Sequence, residues 1–179
     1  MKLKHLICMT AVAAVLTSCG SKGFRTEELG VKVSAEENRE YSYTDKKAGY
    51  WYGRTHVEAA EWYSGWNMAK KRILADYTLS IDGNVLDRSK AECTVYPDRL
   101  VRKWDNAVET FRMVDNLPII YIAIESDSDA TSISLDRSLI TDSYKAGDVE
   151  FFIPGEAPDK RIMAAGSLRS KRIMSAQTA

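Results

Sequence analysis

Short runs of alternating apolar and polar residues occupy most of the chain beyond residue 70. They are rich in β-branched and aromatic residues, and Asp, Asn, Gly or Pro bounds each run, as in β-strands. The runs are Ile73–Ile81, Glu92–Trp104, Val108–Val114, Ile119–Glu125, Thr131–Leu135 and Val149–Ile153. Because no long amphipathic helix accompanies them, the pattern predicts an all-β fold, an antiparallel β-sandwich of two sheets.

Local signals refine this prediction. The run Ile119–Glu125 is apolar on both faces, which predicts a central strand, and the segment 115–118 before it predicts a hairpin. Asp82-Gly83 followed by Asn84 is a tight-turn signal. Pro97 lies within the run Glu92–Trp104 and lacks a backbone donor, so we expect that run to be two strands with a turn between them.

The segments outside these runs differ in character. Residues 19–47 are polar and acidic, which predicts a flexible tether, and 167–179 are polar, basic and unpatterned, which predicts a disordered tail. The sandwich domain is therefore expected over 48–166. It opens with a segment crowded with Tyr and Trp, Ala48–Trp66, in which a short helix around Val57–Tyr63 fits the spacing of apolar residues.

The first 18 residues predict removal from the mature chain. Lys2 and Lys4 precede an apolar stretch that is too short to span a bilayer, and Leu16-Thr17-Ser18-Cys19 closes it. The segment resembles a bacterial lipoprotein signal, which implies that Cys19 becomes the lipidated first residue. The implied partner is then a membrane, and the implied location is the cell envelope. Gly20 after the cysteine favours the outer membrane by the same analogy.

Charge and reactive residues exclude several classes of function. The chain has 25 Lys plus Arg and 25 Asp plus Glu, interspersed along the sequence, so no nucleic-acid partner is expected. Without the signal and the lipidated cysteine, Cys93 is the remaining thiol and is expected to be a small buried hydrophobe rather than part of a disulfide framework. His56 is the remaining histidine, which excludes a multi-histidine metal site in this chain.

No sequence motif indicates catalysis. The chain lacks a Gly-x-Ser-x-Gly elbow, a phosphate-binding glycine loop, His-Glu-x-x-His and Cys-x-x-Cys. Glu58 and Glu61 would share one face of a short helix, but this spacing is common on solvated faces. We therefore assign no catalytic residue, no cofactor and no metal.

The aromatic segment provides the candidate binding residues. Trp and Tyr rings stack on the apolar C–H faces of sugars, and nearby polar groups bond the hydroxyls. The candidate glycan contacts are Trp51, Tyr52, Arg54, Trp62, Tyr63 and Trp66. The alternative interpretation is that these aromatic residues form the core of the sandwich.

Several short stretches are similar to a known family. They are Gly49-Tyr50-Trp51-Tyr52-Gly53-Arg54-Thr55, the run Tyr77–Ile81 with Asp82-Gly83, Arg99–Trp104, and Val108-Glu109-Thr110-Phe111-Arg112. Together they resemble the N-terminal β-sandwich of bacterial glycogen-debranching-like glycosidases, over Gly49–Ile153. In that family an (α/α)₆ toroid follows the sandwich and supplies the catalytic carboxylates. The resemblance implies a non-catalytic accessory domain.

Three functions remain open at this point. An accessory domain would contact a glycan or support a glycosidase catalytic domain, and it should leave a broad apolar surface uncovered. An independent carbohydrate-binding surface lipoprotein should instead present at least two coplanar, solvent-facing rings to an oligosaccharide. A structural envelope lipoprotein should present neither feature.

Overall fold

The computed structural model describes residues 25–128, 130–167 and 172–178, with side chains as far as residue 165. Sixteen strands and two short 3₁₀ helices form this part of the chain. The bounds are η1 Thr26–Leu29, β1 Val31–Val33, β2 Glu40–Thr44, β3 Gly49–Arg54, β4 Gly65–Met68, β5 Lys71–Leu74, β6 Tyr77–Ile81, β7 Asn84–Val85, η2 Arg88–Lys90, β8 Glu92–Val95, β9 Leu100–Trp104, β10 Ala107–Met113, β11 Ile119–Ser126, β12 Thr131–Leu135, β13 Ile140–Ala146, β14 Val149–Pro154, β15 Ile162–Ser167 and β16 Arg172–Thr178.

The strands form three antiparallel sheets. The largest has nine strands in the order β1-β8-β9-β10-β11-β16-β15-β14-β13. A four-stranded sheet has the order β2-β3-β4-β5, and a three-stranded sheet has the order β12-β6-β7. The predicted all-β antiparallel fold is confirmed, with three hydrogen-bonded sheets in place of two.

Phe111 on β10 marks where the three sheets meet. Its ring centroid lies 5.0 Å from that of Trp51 in the four-stranded sheet, and 5.8 Å from that of Tyr77 in the three-stranded sheet. Both smaller sheets thus pack on the same face of β10. This is a sandwich-like arrangement in which one layer is divided between two sheets.

Several predicted strands and turns are confirmed. The strand β11 lies in the middle of the nine-stranded sheet, and β8 and β9 are separated at Pro97 as expected. The β6–β7 hairpin turns at Asp82 (φ 52°) and Gly83 (φ 78°), and two successive positive φ angles are those of a type I′ turn.

The predicted tether is wrong from Thr26 onward. Within 19–47 the chain forms η1, β1 and β2, with β1 paired to β8 and β2 paired to β3. The reason lies in the alternation of β2, where Tyr41 and Tyr43 are buried between exposed polar residues. The signal segment, Cys19 and residues 20–24 lie outside the described residues.

Two further expectations differ from the structure. Residues 55–64 contain no helix and form bends and turns instead, because Thr55, His56 and Ser64 are held by contacts to other elements. The predicted tail contains β16, which pairs with both β11 and β15, while residues 168–171 and 179 lie outside the description. No helix of the described residues is long and apolar enough to cross a membrane.

Candidate functional site

The alternation of β3 divides its side chains between two environments. Trp51 points into the core, while Tyr52 and Arg54 lie on the partly exposed outer face of the four-stranded sheet. Gly53 fits on the inner face because a Cβ there would lie 2.7 Å from the Tyr41 hydroxyl oxygen. The strand therefore supplies both core and surface residues to the aromatic segment.

Trp51 and Trp66 are core residues, which corrects their prediction as glycan contacts. They lie opposite each other in the β3–β4 register, and their exposures are 1% and 0%. The Trp51 ring also contacts Tyr77 at 5.6 Å between centroids. Neither indole can reach a ligand without unpacking of the sandwich.

The other candidate rings form an exposed cluster, which we call the aromatic patch, of Tyr52, Trp62 and Tyr63. Tyr63 lies edge-on to Tyr52, with centroids 4.8 Å apart and planes at 68°. Trp62 lies edge-on to Tyr63, at 5.3 Å and 90°. Trp62 is 82% exposed, whereas both tyrosines are half-buried.

The geometry of the patch limits what it can bind. Trp62 and Tyr63 are perpendicular, so these two rings do not form the coplanar pair expected for stacking on successive sugars. The indole of Trp62 is open to solvent, and Tyr63 supports it. The arrangement therefore offers one open indole face for stacking.

Arg54 forms ion pairs with Glu61 and Glu40 on the outer face of the four-stranded sheet. Arg54 Nε donates to Glu61 Oε1 at 3.0 Å, and its Nη2 donates to Glu40 at 3.3 Å. The hydrogen bond from Arg54 lowers the pKa of Glu61, so this carboxylate is ionised and accepts hydrogen bonds. Because no helix forms here, Glu58 and Glu61 are not the helix-face pair that their spacing allowed.

The segment 55–64, which we call the aromatic loop, is fixed at its base by main-chain contacts. Arg102 on β9 donates from Nε to the Thr55 carbonyl at 2.8 Å, and from Nη2 to the Arg54 carbonyl at 3.0 Å. The Thr55 amide donates to the Arg39 carbonyl at 2.9 Å. These contacts set the direction in which the loop leaves β3.

Arg102 is held in turn by a buried ion pair that the sequence analysis missed. Its Nη1 lies 2.9 Å from Glu109 Oε2, and both side chains are almost fully buried. Burial opposes the charge of Arg102, but Glu109 and nearby tyrosines outweigh it and raise the arginine pKa. The Tyr77 hydroxyl also donates to Glu109. The available signal was a pair of charged residues at inward positions of two strands.

A cavity of about 300 Å³ adjoins the aromatic loop. His56, Leu79, Leu86, Arg88 and Trp104 contribute to its lining. Burial lowers the pKa of His56, and its Nδ1 lies 2.9 Å from Thr55 Oγ1. Arg88 is engaged by both oxygens of Asp76, at 2.7 and 2.9 Å. The arginine of this cavity therefore has a structural partner.

The described residues do not assemble a metal centre. They contain no group of three or more His, Cys, Asp or Glu side chains placed to hold an ion. Cys93 is buried and unpaired, as expected. Burial raises the pKa of its thiol to about 11, so it is not a reactive thiolate at neutral pH.

Comparison of the chain with protein-family models, with curated proteins and with solved structures finds no match. The site is therefore interpreted from its own geometry.

Proposed function

We propose that this protein is a non-catalytic envelope lipoprotein that binds carbohydrate through the aromatic patch. The observation that carries the proposal is the exposure of Trp62. Its indole is 82% exposed and lies edge-on to Tyr63, and the residue before it, Glu61, forms an ion pair with Arg54. A large apolar ring next to oriented hydrogen-bonding groups matches the mixed surface of a sugar.

Burial energetics support this role for Trp62. Covering apolar surface stabilises by roughly 25 cal/mol per Å², and Trp62 leaves most of its ring in water, whereas Trp51 and Trp66 are buried. A stacked sugar ring would cover part of this area. The partly exposed Arg54 guanidinium would then be the polar partner for hydroxyls at the edge of the sugar.

The distribution of other apolar side chains favours a binding module over a support for a missing catalytic domain. Among the described residues, the large exposed hydrophobic side chains are spread over η1, β1, the aromatic loop, β7, the β10–β11 turn and β13, with no more than two on any of them. They are Leu29, Val31, Val57, Trp62, Val85, Leu117 and Tyr144. A surface made to pack against a toroid would be broad and contiguous. The resemblance to a glycosidase N-terminal domain supports the carbohydrate class of ligand without adding a catalytic role.

Anchoring forms the second part of the proposal. The sequence Leu16-Thr17-Ser18-Cys19 supports lipidation at Cys19, and acyl chains hold a membrane with about 0.8 kcal/mol per buried methylene. The protein would then be held at the cell envelope, with the outer membrane favoured by Gly20.

The test is binding of the lipid-free chain from Gly20 to Ala179 to a panel of immobilised polysaccharides. We expect saturable binding to at least one polysaccharide, and a change in tryptophan fluorescence on binding. Trp62→Ala should abolish both responses while the protein stays folded.

Tyr144→Ala is the matched control, because Tyr144 is another exposed ring and lies on β13, away from the patch. This variant should bind as the parent does. Binding that survives Trp62→Ala unchanged, or a folded protein that binds no polysaccharide in the panel, would contradict the proposal.

A further inference from the structure

One end of the strands collects three turns, which we call the turn end: residues 45–48, 96–99 and 114–118. The strand registers place these turns together. Val31 pairs with Val95, and Leu100 pairs with both Val95 and Phe111. The strand β10 then ends at Met113, two residues after Phe111, where the third turn begins. The 3₁₀ helix η1 enters β1 at this same end.

Contacts between the turns confirm that they are neighbours. The Asn116 amide donates to the Asp45 carbonyl at 2.7 Å. The Tyr43 hydroxyl donates to the Tyr96 carbonyl at 3.0 Å. Arg99 lies 3.5 Å from Glu27 of η1. The turn end is therefore one continuous surface.

The aromatic loop lies at the other end. The strand β3 begins next to the turn 45–48 and ends at Arg54, where the loop begins. Its six residues span roughly 17 Å at about 3.3 Å per residue. The segment after β1 also reaches the loop base, since Asn38 Oδ1 accepts from the His56 amide at 3.2 Å.

The turn end carries exposed apolar side chains. Leu29 and Val31 are exposed beside η1, and Leu117 is exposed at the tip of the β10–β11 turn. Charges there are mixed, with Lys46 paired to Asp115 and Arg99 paired to Glu27. A few exposed apolar side chains among paired charges suit a lipid interface without a requirement for anionic lipid.

The position of the anchoring cysteine limits where this surface can be. Cys19 is six residues from Arg25, where the described chain begins. A chain extends at most about 3.6 Å per residue, so the span is no more than about 22 Å. A lipid on Cys19 would keep η1 within that distance of the bilayer, and the turn end, which η1 enters, is the end of the strands nearest to the anchor.

From these observations we propose that the turn end docks on the membrane surface and that the aromatic patch faces away from it. This inference rests on the lipidation of Cys19 in the proposed function. It deepens that function, because a membrane-distal patch is open to a polysaccharide even when the anchor is short.

The test uses the full lipidated protein in vesicles of phosphatidylethanolamine and phosphatidylglycerol. An environment-sensitive dye is attached at Leu117→Cys or, in a matched variant, at Val57→Cys in the aromatic loop. Both parent residues are exposed apolar side chains, and Cys93 is buried away from the reagent. Quenching by a headgroup-linked quencher should be several-fold stronger at position 117, at low and high salt alike.

Equal quenching at both positions, or stronger quenching at position 57, would overturn the proposed orientation. Mass analysis of the N-terminal peptide reports separately on the anchor, and an unmodified Cys19 would remove both the anchor and the docked surface. Loss of polysaccharide binding alone would refute the binding function and leave the quenching contrast in place.

Discussion

Two groups of aromatic residues, adjacent in sequence, have opposite environments in this protein. Trp51 and Trp66 are both buried. The Trp51 ring packs against Tyr77 and Phe111. Trp62, which lies between Trp51 and Trp66 in sequence, is exposed in the aromatic patch. Trp51 connects the sheets, whereas Trp62 leaves its apolar surface in solvent. Strand alternation fixes the first group, and the loop geometry fixes the second.

The comparison indicates that richness in Trp and Tyr is not itself evidence of a binding surface. The large inward side chains of β3 and β4 fill the core between the four-stranded sheet and the nine-stranded sheet. Among Trp51, Trp62 and Trp66, the indole exposed to solvent is that of Trp62, which the aromatic loop holds outside the strand alternation. The difference can be tested on each side separately.

The largest expected effect is on the buried side of the comparison. Trp51→Ala should lower the free energy of unfolding by about 3–5 kcal/mol, since it removes an indole from a closely packed core and leaves a cavity. Urea unfolding measures the change. Trp51→Phe keeps most of the volume and should cost less, so it provides a folded variant if the alanine variant does not fold. An alanine variant as stable as the parent would show that the ring is not a core residue.

The next effect concerns the ion pair that fixes the aromatic loop. Glu109→Gln should destabilise by about 3 kcal/mol, because Arg102 would be left as a buried charge without its anionic partner. Glu37→Gln is the matched control, since Glu37 pairs with Arg39 at an exposed site, and it should cost less than about 0.5 kcal/mol. Similar losses in the two variants, measured by urea unfolding, would contradict this assignment.

An intermediate effect depends on alkaline pH. Burial raises the pKa of Cys93 to about 11 from an ordinary value of 9.0. The neutral thiol therefore contributes its full stabilisation to the free energy of unfolding below pH 9. That stabilisation is lost as the pH rises from 9 through 11, by roughly 2–3 kcal/mol for two pH units at about 1.4 kcal/mol per unit.

Buried tyrosines such as Tyr77 also have raised pKa values and destabilise in the same direction. The measurement is therefore the difference between the parent and Cys93→Ala in unfolding free energy across pH 8–11. The variant should lose less stability than the parent over this range. Parallel curves would show that the thiol does not titrate differently in the folded state.

The smallest stability effect is expected on the exposed side. Trp62→Ala should change the free energy of unfolding by less than about 0.5 kcal/mol, as for surface substitutions generally. The same variant should lose polysaccharide binding, so stability and binding separate at this residue. A stability loss near that of Trp51→Ala would show that Trp62 belongs to the core and would remove the comparison.

The sequence allowed prediction of the strands in which alternation is clear. The run Thr131–Leu135 matches β12, and the apolar run at Ile119 matches the central strand β11. The turn at Asp82-Gly83 was also predictable, since few residue pairs adopt two positive φ angles. These features depend on the order of neighbouring residues, which can be read directly from the sequence.

Features that depend on distant contacts could not be predicted in the same way. The strand β2 lies in an acidic segment. Its two buried tyrosines indicate a strand only once the pairing with β3 is known. Arg102 and Glu109 stand at inward positions of two strands, but only the β9–β10 register shows that they lie opposite each other. The six candidate glycan contacts divide into core and surface for the same reason.

Arg102 recognises the loop through carbonyl oxygens of the main chain, at Arg54 and Thr55. Every residue has a main-chain carbonyl, whatever its side chain. These hydrogen bonds therefore do not depend on which side chains follow Thr55 in the loop. Residues such as Trp62 can then be exchanged while the loop still leaves the sheet in the same direction. The sequence of the loop can therefore change, by design or in evolution, with little cost to folding.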